Sequence, residues 1–350
     1  MGLQDQLFDW GNISLAYKNA SRGKRGRGAT ASFEMMLADN LLELQKELEE
    51  QTYQPGGYNS FYIHEPKKRL ISAAPFRDRV VHHALCNITV PYFEKLFIPD
   101  SYANQKGKGV HRALDRCTQF ARSFKYVLQC DVRQFFPSVD HVVLYKTLVK
   151  MLPDESVMWL IERILASGRG VLSEEYGMVY FPKDDLFAIQ RSRGLPIGNL
   201  TSQWWANCYL NPFDQFVKRE LGCRGYVRYV DDFLLFSNNK HELSGWREKV
   251  VKRLERLRVI LHEGSLYPKP VTEGIPFLGF QIFPEYRRLK PRKGYAFRRK
   301  MFHLLKSTSE EKIEASLQGW VNHVLHADTY GLRYSMLNEF QLLAKENTYV

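Results

Sequence analysis

Tyr229-Val230-Asp231-Asp232 stand between two short apolar runs, Gly225-Tyr226-Val227-Arg228 and Phe233-Leu234-Leu235-Phe236. Two strand-like segments joined across a two-residue turn predict a β-hairpin with paired carboxylates at its tip, although Asp-Asp is not the Asn-Gly type of turn that hairpins favour. Carboxylates there suit Mg²⁺, which takes hard oxygen ligands, keeps waters and substrate phosphates in its shell and needs one or two carboxylates per ion. Alone, such a pair reads as a solvated acidic turn. A third carboxylate changes that reading. Tyr126-Val127-Leu128-Gln129-Cys130-Asp131 predicts a buried strand ending in Asp131, followed by Val132-Arg133-Gln134-Phe135-Phe136-Pro137-Ser138 and a helical pattern from Asp140. Nucleotidyl transfer by two metals needs ions about 3.5–4 Å apart and so carboxylates from more than one strand. Asp131, Asp231 and Asp232 meet that requirement, with Asp232 the lesser ligand because side chains alternate faces along a strand.

Between these carboxylates lies Gly194-Leu195-Pro196-Ile197-Gly198-Asn199-Leu200-Thr201-Ser202-Gln203, which predicts a loop opening a helix from Trp204 to about Glu220. Glycines let backbone approach a ligand closely, and a helix start offers free N–H groups and a favourable dipole to a phosphate or a template strand. Most such loops are connections; this one gains weight from its place in the order.

That order, Asp131 with Phe135-Phe136, then residues 194–203, then Tyr229-Val230-Asp231-Asp232, then Phe277-Leu278-Gly279-Phe280, resembles the motif series of reverse transcriptases. Upstream, Glu65-Pro66-Lys67-Lys68-Arg69-Leu70-Ile71-Ser72 resembles the fingers motif of that family, and with Phe76-Arg77-Asp78-Arg79-Val80-Val81-His82-His83-Ala84-Leu85 the resemblance spans roughly residues 60–285. The loop is most similar to those of diversity-generating retroelements: Ile197 stands where most reverse transcriptases carry Gln, and Gln203 where they carry Pro. Val230 stands where many relatives carry Met.

The resemblance implies a site. Asp131 and Asp231 would hold two Mg²⁺ ions, or Mn²⁺ as a substitute, with Val132 beside Asp131 and Asp232 in support. Lys67 and Arg69 would meet the triphosphate, Lys as a point charge and Arg as a planar fork. Phe136 would be the aromatic gate below the sugar, with Phe135 packing beside it, and Ile197, Gly198 and Gln203 would border the nucleotide. Lys269 resembles a general acid near the leaving pyrophosphate. Phe277-Leu278-Gly279-Phe280 resembles the primer grip, although two aromatics so spaced also fit half of a buried strand. The implied activity is copying of a template RNA into DNA from a DNA or RNA primer and dNTPs. In the diversity-generating type it is mutagenic at template adenines, the cDNA replaces a variable gene segment, and a small basic helical accessory protein is a partner. The alternatives are a retron or group II intron type of reverse transcriptase, and a catalytically silent nucleic-acid-binding scaffold, which has no need of all three aspartates.

Composition agrees with this reading. Fifty Lys and Arg against 38 Asp and Glu give a net charge of +12 over 350 residues, a balance that supplies salt-sensitive attraction to phosphates. At 44% apolar residues the chain can bury a sizeable core and form two or three subdomains. Five cysteines, Cys86, Cys117, Cys130, Cys208 and Cys223, follow no C-x-x-C spacing and read as reduced core residues. His82 with Cys86, and His323 with His326, lack a second ligand pair for zinc. No apolar run of about 18 residues and no signal-type segment is visible, so the expected location is cytoplasmic, without membrane contact.

The expected fold is α+β, a right-hand polymerase with fingers, antiparallel-sheet palm and helical thumb. Residues 1–57 form an N-terminal helical and basic segment with a helix around Phe33 to Leu48; Ser21-Arg22-Gly23-Lys24-Arg25-Gly26-Arg27-Gly28 is either a flexible arm on nucleic acid or a solvated loop. Residues 58–125 form fingers, with helices near Arg79 to Thr89 and Gly109 to Ser123. The palm occupies 126–286, with a kink or break at Asn211-Pro212, and a basic helical thumb occupies 287–350. That division leaves no room for a ribonuclease H, endonuclease or integrase domain of ordinary size.

Overall fold

Val127, Val227, Leu234 and Phe236 belong to one hydrophobic cluster, whereas Leu128, Cys130, Tyr226, Phe233 and Leu235 belong to another. Successive strand residues point to opposite faces, so these runs are apolar throughout because both faces of their sheet are covered. The computed structural model describes residues 2–64, 67–182, 184–263, 267–307 and 309–347. Glu65 and Pro66 of the expected fingers motif, and residues 348–350 of the expected thumb, lie outside the described residues.

The chain begins with four helices, α1 (Leu3–Phe8), α2 (Trp10–Ser21), α3 (Gly28–Glu34) and α4 (Leu37–Glu49). The single helix expected around Phe33 to Leu48 is therefore two. Met36 leaves helical geometry at φ −126° and ψ 49°, and the Asn40 amide donates to the Phe33 carbonyl at the break (2.9 Å). The basic run from Ser21 to Gly28 is a short connection between α2 and α3, exposed beyond Ser21 except at half-buried Lys24, with Arg25 3.6 Å from Glu34. These helices pack on α5 (Phe76–Leu96), where the buried Asn12 amide donates to the Ala84 carbonyl (3.1 Å).

An antiparallel ribbon of β1 (Asn59–Ile63) and β2 (Arg69–Ala73) precedes α5, and α6 (Val110–Ser123) follows it. Next come β3 (Tyr126–Asp131), the short α7 (Phe135–Ser138), α8 (His141–Met151), α9 (Glu155–Ser167) and α10 (Leu200–Gln215). Helix α10 starts four residues earlier than Trp204 and runs through Pro212 without a break; the irregularity comes later, as a π-helical turn at Phe216–Glu220. A proline withholds one N–H from the helix ladder, and burial of Asn211, Phe213 and Asp214 holds the helix together across it.

The hairpin of β4 (Gly225–Tyr229) and β5 (Asp232–Ser237) leads to α11 (Lys240–Arg256) and the edge strand β6 (Lys269–Pro270). These strands form one antiparallel sheet in the order β4-β5-β3-β6. A second antiparallel sheet, β7 (Ile275–Phe277), β8 (Phe280–Ile282) and β9 (Arg287–Leu289), covers one of its faces. The chain ends in α12 (Pro291–Ser307), α13 (Glu310–Val324) and α14 (Tyr330–Asn347), which share a separate core in which Phe297 stacks on Trp320 at 4.4 Å.

Gly225 marks how tightly the sheet is covered. A Cβ there would lie 2.7 Å from Cβ of Phe236 and 2.8 Å from the Phe124 ring. Gly225→Ala is expected to destabilise the protein by about 1–3 kcal/mol through overpacking, read as a lower melting temperature, while Gly57→Ala, with nothing within 4 Å, serves as the control. Equal melting temperatures for the two variants would refute the tight contact.

Candidate active site

Strands β3 and β5 pair so that Asp131 lies opposite Asp232, and across the hairpin Tyr229 lies opposite Asp232. Val230 and Asp231 are left as the two-residue turn. Val230 takes φ 57°, a left-handed conformation that is unusual for a β-branched residue and costs about 1–2 kcal/mol. The Val132 N–H donates to the Asp231 carbonyl (3.3 Å), so the residue after β3 is stitched to the turn.

All three aspartates face a cavity of about 590 Å³. Lys67 and Arg69 of the β1–β2 ribbon, Phe136 of α7 and Ile197 of the glycine loop also line it, and Leu278 borders it from the β7–β8 turn. The loop is fastened to the ribbon, since the Ser72 N–H donates to the Ile197 carbonyl (2.8 Å). Gly198, at φ 127°, presses so close that a Cβ would sit 3.0 Å from the Ser72 carbonyl oxygen. Phe136 accepts at its carbonyl from the Leu195 N–H (2.9 Å), which ties the third wall to the same loop.

Burial, and then the neighbouring charge of Asp131, push the Asp231 carboxyl up to about 6 and the Asp232 carboxyl up to about 7. Burial also raises Asp131, while His262 and Lys67 pull it the other way. The two hairpin carboxyls have different company: Arg69 and Arg228 favour the charge on Asp231, whereas Asp232 receives the Gln129 amide (3.4 Å) and feels Lys290. Such a set is short of cations and rich in hard oxygen donors, which fits a divalent ion of the Mg²⁺ type. Among the described residues no three His, Cys, Asp or Glu side chains converge into a ready-made metal group. That agrees with an ion completed by waters and substrate phosphates.

Several expected contacts lie elsewhere. Phe277 and Phe280 are fully buried in the core beneath the β7–β8 turn, so only Leu278 and Gly279, half-buried and at φ 48° and 91°, reach the surface in that motif. Phe135 is buried and packs edge-on to Tyr209 (6.2 Å), contributing to the cavity only as wall. Lys269 pairs with Val127 on the edge strand β6 and is not among the residues that line the cavity. Gln203 is exposed on the first turn of α10 and does not line the cavity, nor does Gly198, which acts through its backbone. The sequence gives no sign of Gln134, Glu175 or His262 on the cavity wall: Gln134 sits at φ 48° with its amide donating to the Glu175 carbonyl (2.8 Å), and the His262 N–H reaches the Asp131 carbonyl (2.9 Å).

Residues 63–282 match the family of reverse transcriptases (RNA-dependent DNA polymerases). The chain is 25% identical over 325 residues to protein YkfC of Escherichia coli K12, covering 81% of each. It is 23% identical over 182 residues to the group II intron-encoded protein LtrA of Lactococcus lactis subsp. cremoris, which is 51% of this chain and 28% of that protein. Among solved structures, apo telomerase from Candida tropicalis superposes with a TM-score of 0.53 at 10% identity, over 84% of this chain and 59% of that one. The likeness shows the fold, a right-hand polymerase. No described helix is long and apolar enough to cross a membrane.

An acid whose pKa is raised on folding favours the protonated folded state, so stability is lost as pH climbs from the ordinary Asp value of 3.8 through about 7 for Asp232. Asp232→Asn is therefore expected to melt several degrees higher than wild type near pH 8 in metal-chelated buffer, with the gap closing near pH 4. Melts showing the same gap at both pH values would refute the electrostatic origin.

Proposed function

Because this chain belongs to the reverse transcriptase family and is an RNA-directed DNA polymerase, we propose that Asp131, Asp231 and Asp232 are its catalytic carboxylates. We further propose that it copies its template with low accuracy at adenines, as in diversity-generating retroelements. One observation carries the chemistry: the three carboxylates share a cavity with Lys67 and Arg69 on a facing wall. Two bound Mg²⁺ ions would supply the acidity that lowers the pKa of a primer 3′-hydroxyl and would offset charge on the triphosphate.

The protein's own groups do the rest. Asp131 and Asp231 hold the cations, with Val132 beside them and Asp232 in support. Their raised pKa values mean that cation binding expels protons, so metal affinity rises with pH. Lys67 and Arg69 orient the triphosphate. The Phe136 ring closes the space a ribose 2′-hydroxyl needs, and the Leu278-Gly279 turn supports the primer end. In this reading residues 58–125 act as fingers, 126–286 as palm and 287–350 as thumb; template RNA, primer and dNTPs are the ligands, and a small basic helical accessory protein is the partner.

The diversity-generating assignment rests on Ile197, whose apolar side chain lines the cavity where a Gln would offer an amide to the nucleotide or template base. A missing positioned polar contact lowers discrimination by about 1–3 kcal/mol, roughly tenfold to a hundredfold in error rate. The match to LtrA favours a second reading, an intron-type reverse transcriptase of ordinary accuracy.

Asp231→Asn, nearly isosteric, is expected to fold normally and to lose polymerisation by orders of magnitude in primer extension with Mg²⁺; extension near the wild-type rate would refute the carboxylate assignment. Ile197→Gln is expected to restore accuracy at template adenines more than at other bases. Sequencing cDNA from one RNA template decides between the readings, since equal error spectra, or a wild type as accurate at adenine as elsewhere, favour the intron type.

A further inference from the structure

Arg228 is the largest fully buried side chain among the described residues. Withdrawing a guanidinium from water costs several kcal/mol unless every N–H is well paired. Here the pairing is thorough. Nε and Nη2 donate to the two oxygens of the equally buried Asp214 (2.8 and 2.5 Å), and the Tyr226 hydroxyl donates to the same carboxylate (2.7 Å). Nη1 donates to Oδ1 of Asn207 (3.1 Å), whose own amide is anchored on the Ala103 carbonyl (2.8 Å). The Arg228 backbone is fixed as well: its N–H donates to the Asp100 carbonyl, and its carbonyl accepts from the Tyr102 N–H, both at 3.0 Å.

One bond in this network points at the chemistry. Nη1 also donates to the Val230 carbonyl (2.8 Å), the peptide oxygen immediately before Asp231. Val230 is the β-branched residue held at φ 57°, a conformation that persists only when its surroundings impose it. Without the bond from Nη1 the Val230-Asp231 peptide plane would be free to rotate about its flanking torsions, and the main chain that carries the Asp231 carboxylate would lose its fixed orientation. The carbonyl on the far side of Asp231 is held by the Val132 N–H (3.3 Å), so the aspartate is clamped between two fixed peptide oxygens.

We infer that Arg228 is a positioning residue, whose buried guanidinium, braced by Asp214 and Asn207 of α10, grips the Val230 carbonyl and so aims Asp231 into the cavity. The inference rests on the assignment of Asp231 as a catalytic carboxylate.

Arg228→Lys keeps the charge opposite Asp214, but one ammonium cannot span Asp214, Asn207 and the Val230 carbonyl together. In primer extension it is expected to lower kcat by about tenfold or more, to leave KM for dNTP within about twofold, and to raise the Mg²⁺ concentration for half-maximal rate. Tyr226→Phe removes a bond to Asp214 without touching the turn, and is expected to keep kcat within about twofold of wild type. Should Arg228→Lys show no cooperative melt, Asn207→Ala tests the same point, because it removes the brace that holds Nη1 on the Val230 carbonyl while the fork on Asp214 stays; a loss of about threefold or more in kcat at unchanged KM is expected. Wild-type kcat in the folded Arg228→Lys or Asn207→Ala protein, or a loss in Tyr226→Phe as large as theirs, overturns the inference. Asp231→Asn assayed alongside separates the two assignments: if it is inactive while the Arg228 variants are fully active, only the positioning role fails, and if it is active, the carboxylate assignment itself fails.

Discussion

Asp131, Asp231 and Asp232 sit on adjoining strand ends and the turn between two of them, where burial opposes ionisation of all three and the charge of Asp131 adds to it for Asp231 and Asp232, so the backbone beneath them must be held by more than the turn that carries them. Antiparallel register supplies the first hold, setting Asp131 against Asp232. The second is a stitch from Val132 to the Asp231 carbonyl, and the third is the buried Arg228–Asp214 pair with its bond to Val230. A loose turn would let the carboxylates drift apart and recover water. The observed turn instead keeps a strained Val230 and a crowded set of charges, an arrangement that favours function over stability.

The cavity exists because remote segments are tied to one another. Lys67 and Arg69 stand on a ribbon that would be only marginally stable alone. It is joined to the glycine loop through Ser72 and Ile197, and that loop is joined to α7 through Leu195 and Phe136. The positive φ of Gly198 and the nearness of the Ser72 carbonyl leave no room for a side chain, which gives the glycine a packing reason where a ligand-approach reason was expected. Through these ties the triphosphate wall, the sugar wall and the base wall of the proposed site share one frame with the carboxylates.

The basic residues of the chain are not all available to nucleic acid. Arg287 is committed to Asp115 (2.7 Å) and to the Thr118 hydroxyl (2.7 Å), bonds that fasten β9 to α6. Arg298 pairs with Glu339 across α12 and α14, and Arg258 with Asp184 (2.6 Å). Those cations are part of the scaffold, so the 50 Lys and Arg overstate the cations that phosphates can meet, whereas the net charge of +12 already counts each such pair as zero.

Much of the site was legible from the chain alone, since a hairpin with paired carboxylates and a strand ending in Asp131 are local patterns that local rules read. The α+β class and the order of segments followed from the same kind of signal. What periodicity could not decide was the side on which a residue ends. Phe277 and Phe280 became core because a second sheet lies over the first, and Lys269 was carried to an edge strand by its pairing with Val127. The break at Met36 and the unbroken passage through Pro212 were likewise set by packing, which overrides local propensity. Arg228 is the clearest case: in the sequence it is only the last residue of the run before Tyr229, and only the fold brings Asp214, Asn207 and the Val230 carbonyl around it. Sequence spacing determines which groups share a strand or a turn, whereas partners far apart in the chain, and the burial that makes their bonds matter, arise only when the helices close over the sheet.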